Sequence, residues 1–118
     1  MIEKLKNATG YAFAGLKHAF QTERAFRQEC WVCLVLVPLS FVIGNTPLER
    51  IALIAPLFLV LIIELLNTGI EKTLDFISTE RHPLIKAAKD MSSAAVFLSI
   101  LLTLIVWGTV LSAAFFGF

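Results

Sequence analysis

Four residues carry the first chemical signal: Glu64, Asn67, Glu71 and Asp75. On a helix they fall at relative angles of about 0°, 300°, 340° and 20°, so they share one face. Glu64 follows an unbroken apolar run from Ile51 to Ile63, and apolar residues continue around it to Ile70. Glu64 and Glu71 are separated by about 10 Å along the axis. With Glu71 at a membrane boundary, Glu64 lies inside the hydrocarbon, where an acid costs roughly 2.5–3.5 kcal/mol on insertion scales. A polar stripe kept at that cost points to function, the alternative being a structural polar contact between helices.

A submerged carboxylate is placed to take a proton from a lipid hydroxyl. Glu71 and Asp75, nearer water, suit a hard divalent cation through oxygen ligands. Glu23, just ahead of another apolar run, lies at about the depth of Glu71. Lys89, Arg81 and His82 add bases to the same side. Acids for magnesium and bases for phosphate suggest nucleotide-dependent phosphoryl transfer to a lipid. The chain has no Gly-x-x-x-x-Gly-Lys-[Ser/Thr] loop, no Gly-x-Gly-x-x-Gly and no kinase catalytic-loop triplet. A phosphate site must therefore be built from side chains on helices, and so short a chain implies a site shared within an oligomer.

The elements that position these residues follow from composition. The chain has 118 residues, of which 58% are hydrophobic and only 16% charged. One soluble domain of this size has too little interior to hide that much apolar surface, so the chain is expected to be a single integral membrane domain. The net charge of +1 gives no basic field for nucleic acid. The pattern predicts an all-α fold: an amphipathic surface helix over about 1–25, then spans over about 26–43, 51–70 and 91–115. Pro56 is expected to bend the second span. A turn is expected over 78–83, with a new helix starting by Leu84. Nine of the ten Lys and Arg residues lie in the N-terminal part or in 71–90, and only Arg50 lies between the first two spans. The positive-inside rule then puts the N-terminus in the cytoplasm and the C-terminus outside. No cleavable signal segment is visible in the first 25 residues. Cys30 and Cys33 open an apolar run without any βαβ pattern and read as packing residues. Trp31 and Trp107 read as interface anchors.

Three stretches, Glu23-Arg24-Ala25-Phe26-Arg27-Gln28-Glu29, Glu64 to Glu71 with Asp75, and Ala88-Lys89-Asp90-Met91 followed by Ser93-Ala94-Ala95-Val96, resemble the bacterial membrane-integral diacylglycerol kinase family. The likeness runs over nearly the whole chain. The Phe-Arg-Gln-Glu form of the first stretch is more similar to the diacylglycerol branch than to the undecaprenol kinase branch. The resemblance implies a homotrimer with sites between subunits, in the bacterial cytoplasmic (inner) membrane. It implies ATP and Mg2+ as co-substrate and cofactor, with diacylglycerol converted to phosphatidic acid. By the same likeness Glu64 is the general base, and Glu23 and Glu71 bind the metal with Asn67 in support. By that likeness Lys4, Tyr11, Glu23, Asn67, Glu71, Glu80, Arg81, His82, Lys89 and Asp90 contact ATP, and Ala8, Phe13, Arg27, Gln28, Glu29, Glu64 and Ser93 border the lipid. Lys4 stands where the family often has arginine, Ala12 where it often has serine and Arg81 where it often has tyrosine; a lysine cannot make arginine's bidentate contact. Two other readings stay open: the same chemistry on a polyprenol such as undecaprenol, and a small proton-coupled transporter built around Glu64. The transporter does not account for Glu71, Asp75 and Lys89 together.

Overall fold

A computed structural model describes residues 1–78 and 80–117 as four α-helices, with no strand among the described residues. Helices α2 (Arg24–Ile43), α3 (Pro47–Ile77) and α4 (Pro83–Phe116) are each long and apolar enough to cross a membrane. Helix α1 (Ile2–Thr22) precedes them and buries only Ala19.

The first helix ends at Thr22, short of the expected 25, because Glu23 is extended (φ −110°, ψ 111°) and α2 starts at the next residue. The break leaves carbonyls at the end of α1 without helical partners. Arg27 meets two of them, its guanidinium donating to Phe20 O at 2.8 Å and Gln21 O at 3.3 Å. A cation there also complements the negative end of the helix dipole.

Helix α2 ends at Gly44, a buried residue whose carbonyl accepts from Arg50 Nε at 3.2 Å. Helix α3 starts at Pro47, ahead of the expected 51, because Thr46 and Glu49 form a reciprocal capping box with Pro47 in the first turn. Its 31 residues make it about 46 Å long, against about 30 Å of hydrocarbon, so its polar C-terminal turns extend beyond the apolar layer.

Helix α3 packs on both α4 and α2. Leu53, Leu57 and Trp107 form the core, with Cys33, Leu36, Val37 and Val110 against it. Both cysteines are free thiols and half-buried, and Cys33 packs against the core. Pro56 is buried inside α3. Two side chains of α4 bond to carbonyls near it: Trp107 Nε1 donates to Leu53 O at 3.0 Å, and Thr103 Oγ1 to Pro56 O at 3.4 Å. Trp107 is therefore not an interface anchor. A buried indole N–H needs an acceptor, and it finds one on α3. Helix α4 begins at Pro83, with His82 Nδ1 accepting from Leu84 N at 3.1 Å, and stops at Gly117, whose φ of 74° ends the helix. Within the expected turn over 78–83, residue 79 lies outside the described residues.

Candidate active site

The polar face of α3 grades from buried to exposed along its axis. Glu64 is 7% exposed, Asn67 and Glu71 are half-buried, and Asp75 is exposed. Asn67 Nδ2 donates to Glu71 Oε1 at 3.4 Å, one helical turn on. Asn67 Oδ1 is buried with no hydrogen-bond partner among the described residues, and so is Glu29 Oε2. Glu23 at the α1–α2 joint meets Lys72 of α3, and Glu29 of α2 lines a cavity with Leu57 and Val60 of α3. Carboxylates from the α1–α2 joint and α2 thus both face α3.

The break at Glu23 brings its side chain to α3. Its carboxylate makes no cap for α2 and instead meets Lys72, with Lys72 Nζ 3.2 Å from Glu23 Oε1. Among the described residues no three His, Cys, Asp or Glu side chains are grouped to hold a metal ion. Magnesium does not require such a cage, since it keeps waters and takes one or two carboxylates plus substrate phosphates. Glu23 and Glu71 are of that donor type, and the orphaned Asn67 Oδ1 is a further oxygen without a partner, so the residues present fit the ion.

A cavity of about 560 Å³ opens where α3 ends and α4 begins. It gathers Glu80, Arg81, His82, Lys89 and Asp90, five of the residues expected at the nucleotide, and adds Asp75 and Lys86. Lys89 Nζ donates to Asp75 Oδ1 at 2.7 Å, and Lys86 Nζ to Asp90 Oδ2 at 2.7 Å. Each hydrogen bond holds its lysine above the usual ammonium range, through Asp75 for Lys89 and Asp90 for Lys86. Lys86 gave only a weak signal in the sequence, its i,i+4 spacing to Asp90. Lys72 gave none, because its partner Glu23 lies 49 positions away.

Tyr11 lies apart from that cavity, in a groove of about 500 Å³ between α1 and α3 that also touches Leu65, Gly69 and Lys72. Glu29 lines a largely apolar cavity of about 220 Å³ with Cys33, Leu57, Val60 and Thr103. Arg27, expected beside the lipid, is engaged with the carbonyls of α1. Lys4, Ala8 and Phe13 on α1, Gln28 on α2 and Ser93 on α4 are exposed and line none of these three cavities.

A family model described as prokaryotic diacylglycerol kinase matches residues 10–111. The chain is 47% identical over 107 residues to a diacylglycerol kinase of Haemophilus influenzae, covering 91% of each protein. It is 46% identical over 110 residues to a diacylglycerol kinase of Pseudomonas aeruginosa, covering 93% of this chain and 89% of that protein. To the diacylglycerol kinase of Escherichia coli K12 it is 39% identical over 104 residues, 88% of this chain and 85% of that one.

Proposed function

The chain belongs to the prokaryotic diacylglycerol kinase family and phosphorylates diacylglycerol, and we propose that it does so with ATP at the cytoplasmic face of the bacterial inner membrane. The spans lie within α2, α3 and α4; α1 lies on the membrane surface; and three copies assemble with shared sites. The observation that carries this reading is the face of α3. It leads from a carboxylate buried at apolar depth to a charged cavity at the polar end, joining a lipid hydroxyl to a nucleotide.

In the reaction Glu64 takes the proton of the free hydroxyl as that oxygen attacks the γ-phosphorus. The bond from the γ-phosphorus to the ADP oxygen breaks, its electron pair leaves with ADP, and phosphatidic acid remains in the membrane. Glu23 and Glu71, with Asn67, would hold Mg2+, which when bound would neutralise charge on the phosphates. Lys89, Asp90, His82, Arg81 and Glu80 take the nucleotide, with Tyr11 and Lys4 approaching from α1. Glu29, Arg27, Gln28, Ser93, Ala8 and Phe13 border the lipid.

The test is transfer of labelled γ-phosphate in mixed micelles containing either diacylglycerol or undecaprenol. Label should enter diacylglycerol, with little in undecaprenol. Preferred labelling of undecaprenol would move the chain to the polyprenol branch of the reaction. ATP hydrolysis without transfer to either lipid would remove the kinase reading.

A further inference from the structure

Glu23 already has a cation beside it. Lys72 Nζ stands 3.2 Å from Glu23 Oε1, in a pair whose side chains are 52% and 30% exposed. Two features of the fold enforce the meeting. The extended backbone at Glu23 breaks the helix and turns the carboxylate away from its own helix, toward α3. Lys72 directly follows Glu71, so it is carried on the same turn of α3 as the second acidic ligand. A metal ion and an ammonium group at the same carboxylate repel each other and compete for its charge.

We propose that Lys72 is a resident competitor for Glu23, so that magnesium loads by displacing its ammonium group and Lys72 sets the concentration of magnesium the enzyme needs. The inference rests on Glu23 being a metal ligand, as read above. Its size follows from the exposure of the pair. Partly exposed ion pairs are weak, and competition from one shifts an apparent affinity by roughly two- to fivefold. That is strong enough to hold the carboxylate in place before metal arrives, and weak enough for a divalent ion to displace. The lysine stem is long and flexible, so the displaced ammonium group can swing into water or toward a phosphate.

The experiment measures Mn2+ alone, by the electron paramagnetic resonance of the free ion, against the assembled protein in micelles without nucleotide or lipid substrate. The wild type is compared with Lys72→Met, Lys72→Arg and Lys17→Met; Lys17→Met removes an exposed charge of α1 elsewhere. Lys72→Met should bind Mn2+ roughly two- to fivefold more tightly. Lys72→Arg should bind it more weakly than wild type, since a guanidinium grips a carboxylate bidentately. Lys17→Met should bind as wild type. The magnesium half-saturation of phosphoryl transfer should move in the same order. Equal affinity in Lys72→Met and wild type overturns the inference, and so does a shift in Lys17→Met as large as in Lys72→Met, which would mark a general charge effect. Glu23→Gln in the same titration separates the two claims. If it weakens Mn2+ binding while Lys72→Met changes nothing, the competitor role alone fails. If Glu23→Gln binds Mn2+ as wild type does, the metal assignment fails and carries the inference with it.

Discussion

Glu64 illustrates how burial and charge separate a chemical role from a structural one. It is 7% exposed and sits among apolar residues of α3. A carboxylate in such a place is poorly explained by stability, because desolvation works against it. Glu64→Gln keeps the shape and hydrogen bonding but cannot take a proton. Its kcat should fall by roughly 10²–10⁴, the usual contribution of a general base, while its Tm stays level or rises. Turnover and thermal denaturation on one preparation check this; a stable variant with near-normal turnover would remove Glu64 from catalysis. A second prediction concerns Lys89, whose ammonium group is held above its usual range chiefly by the hydrogen bond to Asp75. A raised lysine value means that the pair's contribution is fully present below the ordinary value of about 10.4 and fades as pH rises through the folded value. Asp75→Asn should return Lys89 toward that ordinary value, read from the side-chain resonances of labelled lysine. If Asp75→Asn leaves the titration of Lys89 where it was, the 2.7 Å pair is not what perturbs it.

At the level of elements, the junctions between helices do most of the positioning. Gly44 is the tightest of them. A Cβ there would stand 2.7 Å from Arg50 Cγ and 2.9 Å from Ser40 O, and the second of these is backbone of α2 and cannot swing aside. Gly44→Ala should therefore destabilise the α2–α3 turn by about 1–3 kcal/mol, the usual range for overpacking, seen as a lower Tm in micelles. A wild-type Tm would mean the turn relaxes freely. Trp107→Phe should lower stability by about 0.5–1.5 kcal/mol through the lost bond to Leu53 O, without changing the magnesium dependence. These junctions are also where the sequence was least informative. The polar face of α3 was legible because a 3.6-residue period puts Glu64, Asn67, Glu71 and Asp75 in line whatever the rest of the chain does. The start of α3 was legible in principle, since Thr46, Pro47 and Glu49 form a local capping pattern. The break at Glu23 was not, because helix-compatible residues flank it on both sides and its compensation comes from Arg27 reaching back six and seven residues. The tie of Trp107 to Leu53 spans 54 positions, and the pair of Lys72 with Glu23 spans 49. Contacts made by tertiary approach leave no local period to read.

At the level of the whole molecule, the question is how a chain this small encloses two substrates. The three apolar helices bury few of their own large apolar residues: among the described residues these are Phe26, Leu53, Leu57, Val60 and Trp107. Large apolar side chains such as Phe97, Leu98, Leu104 and Ile105 on α4 and Val32, Leu34 and Val35 on α2 face outward. Lipid can cover these, but it cannot satisfy Asn67 Oδ1 or Glu29 Oε2, which lack partners among the described residues. The cavity where α3 meets α4 and the Tyr11 groove are also separate spaces within one chain, although both are proposed above to meet one nucleotide. The assembly proposed above would answer both needs, since a neighbouring copy would bring polar groups to the α3 face and close the open sides of the site. The expected state is three copies, measured by native mass analysis or chemical crosslinking in mild detergent. Activity should follow the trimer: dilution into harsher detergent should lose turnover in step with the trimer, and both should return together on exchange back. A monomer that phosphorylates diacylglycerol at the full rate would show that one copy suffices, and the open acceptors on α3 and α2 would then have to be met by substrate and water alone.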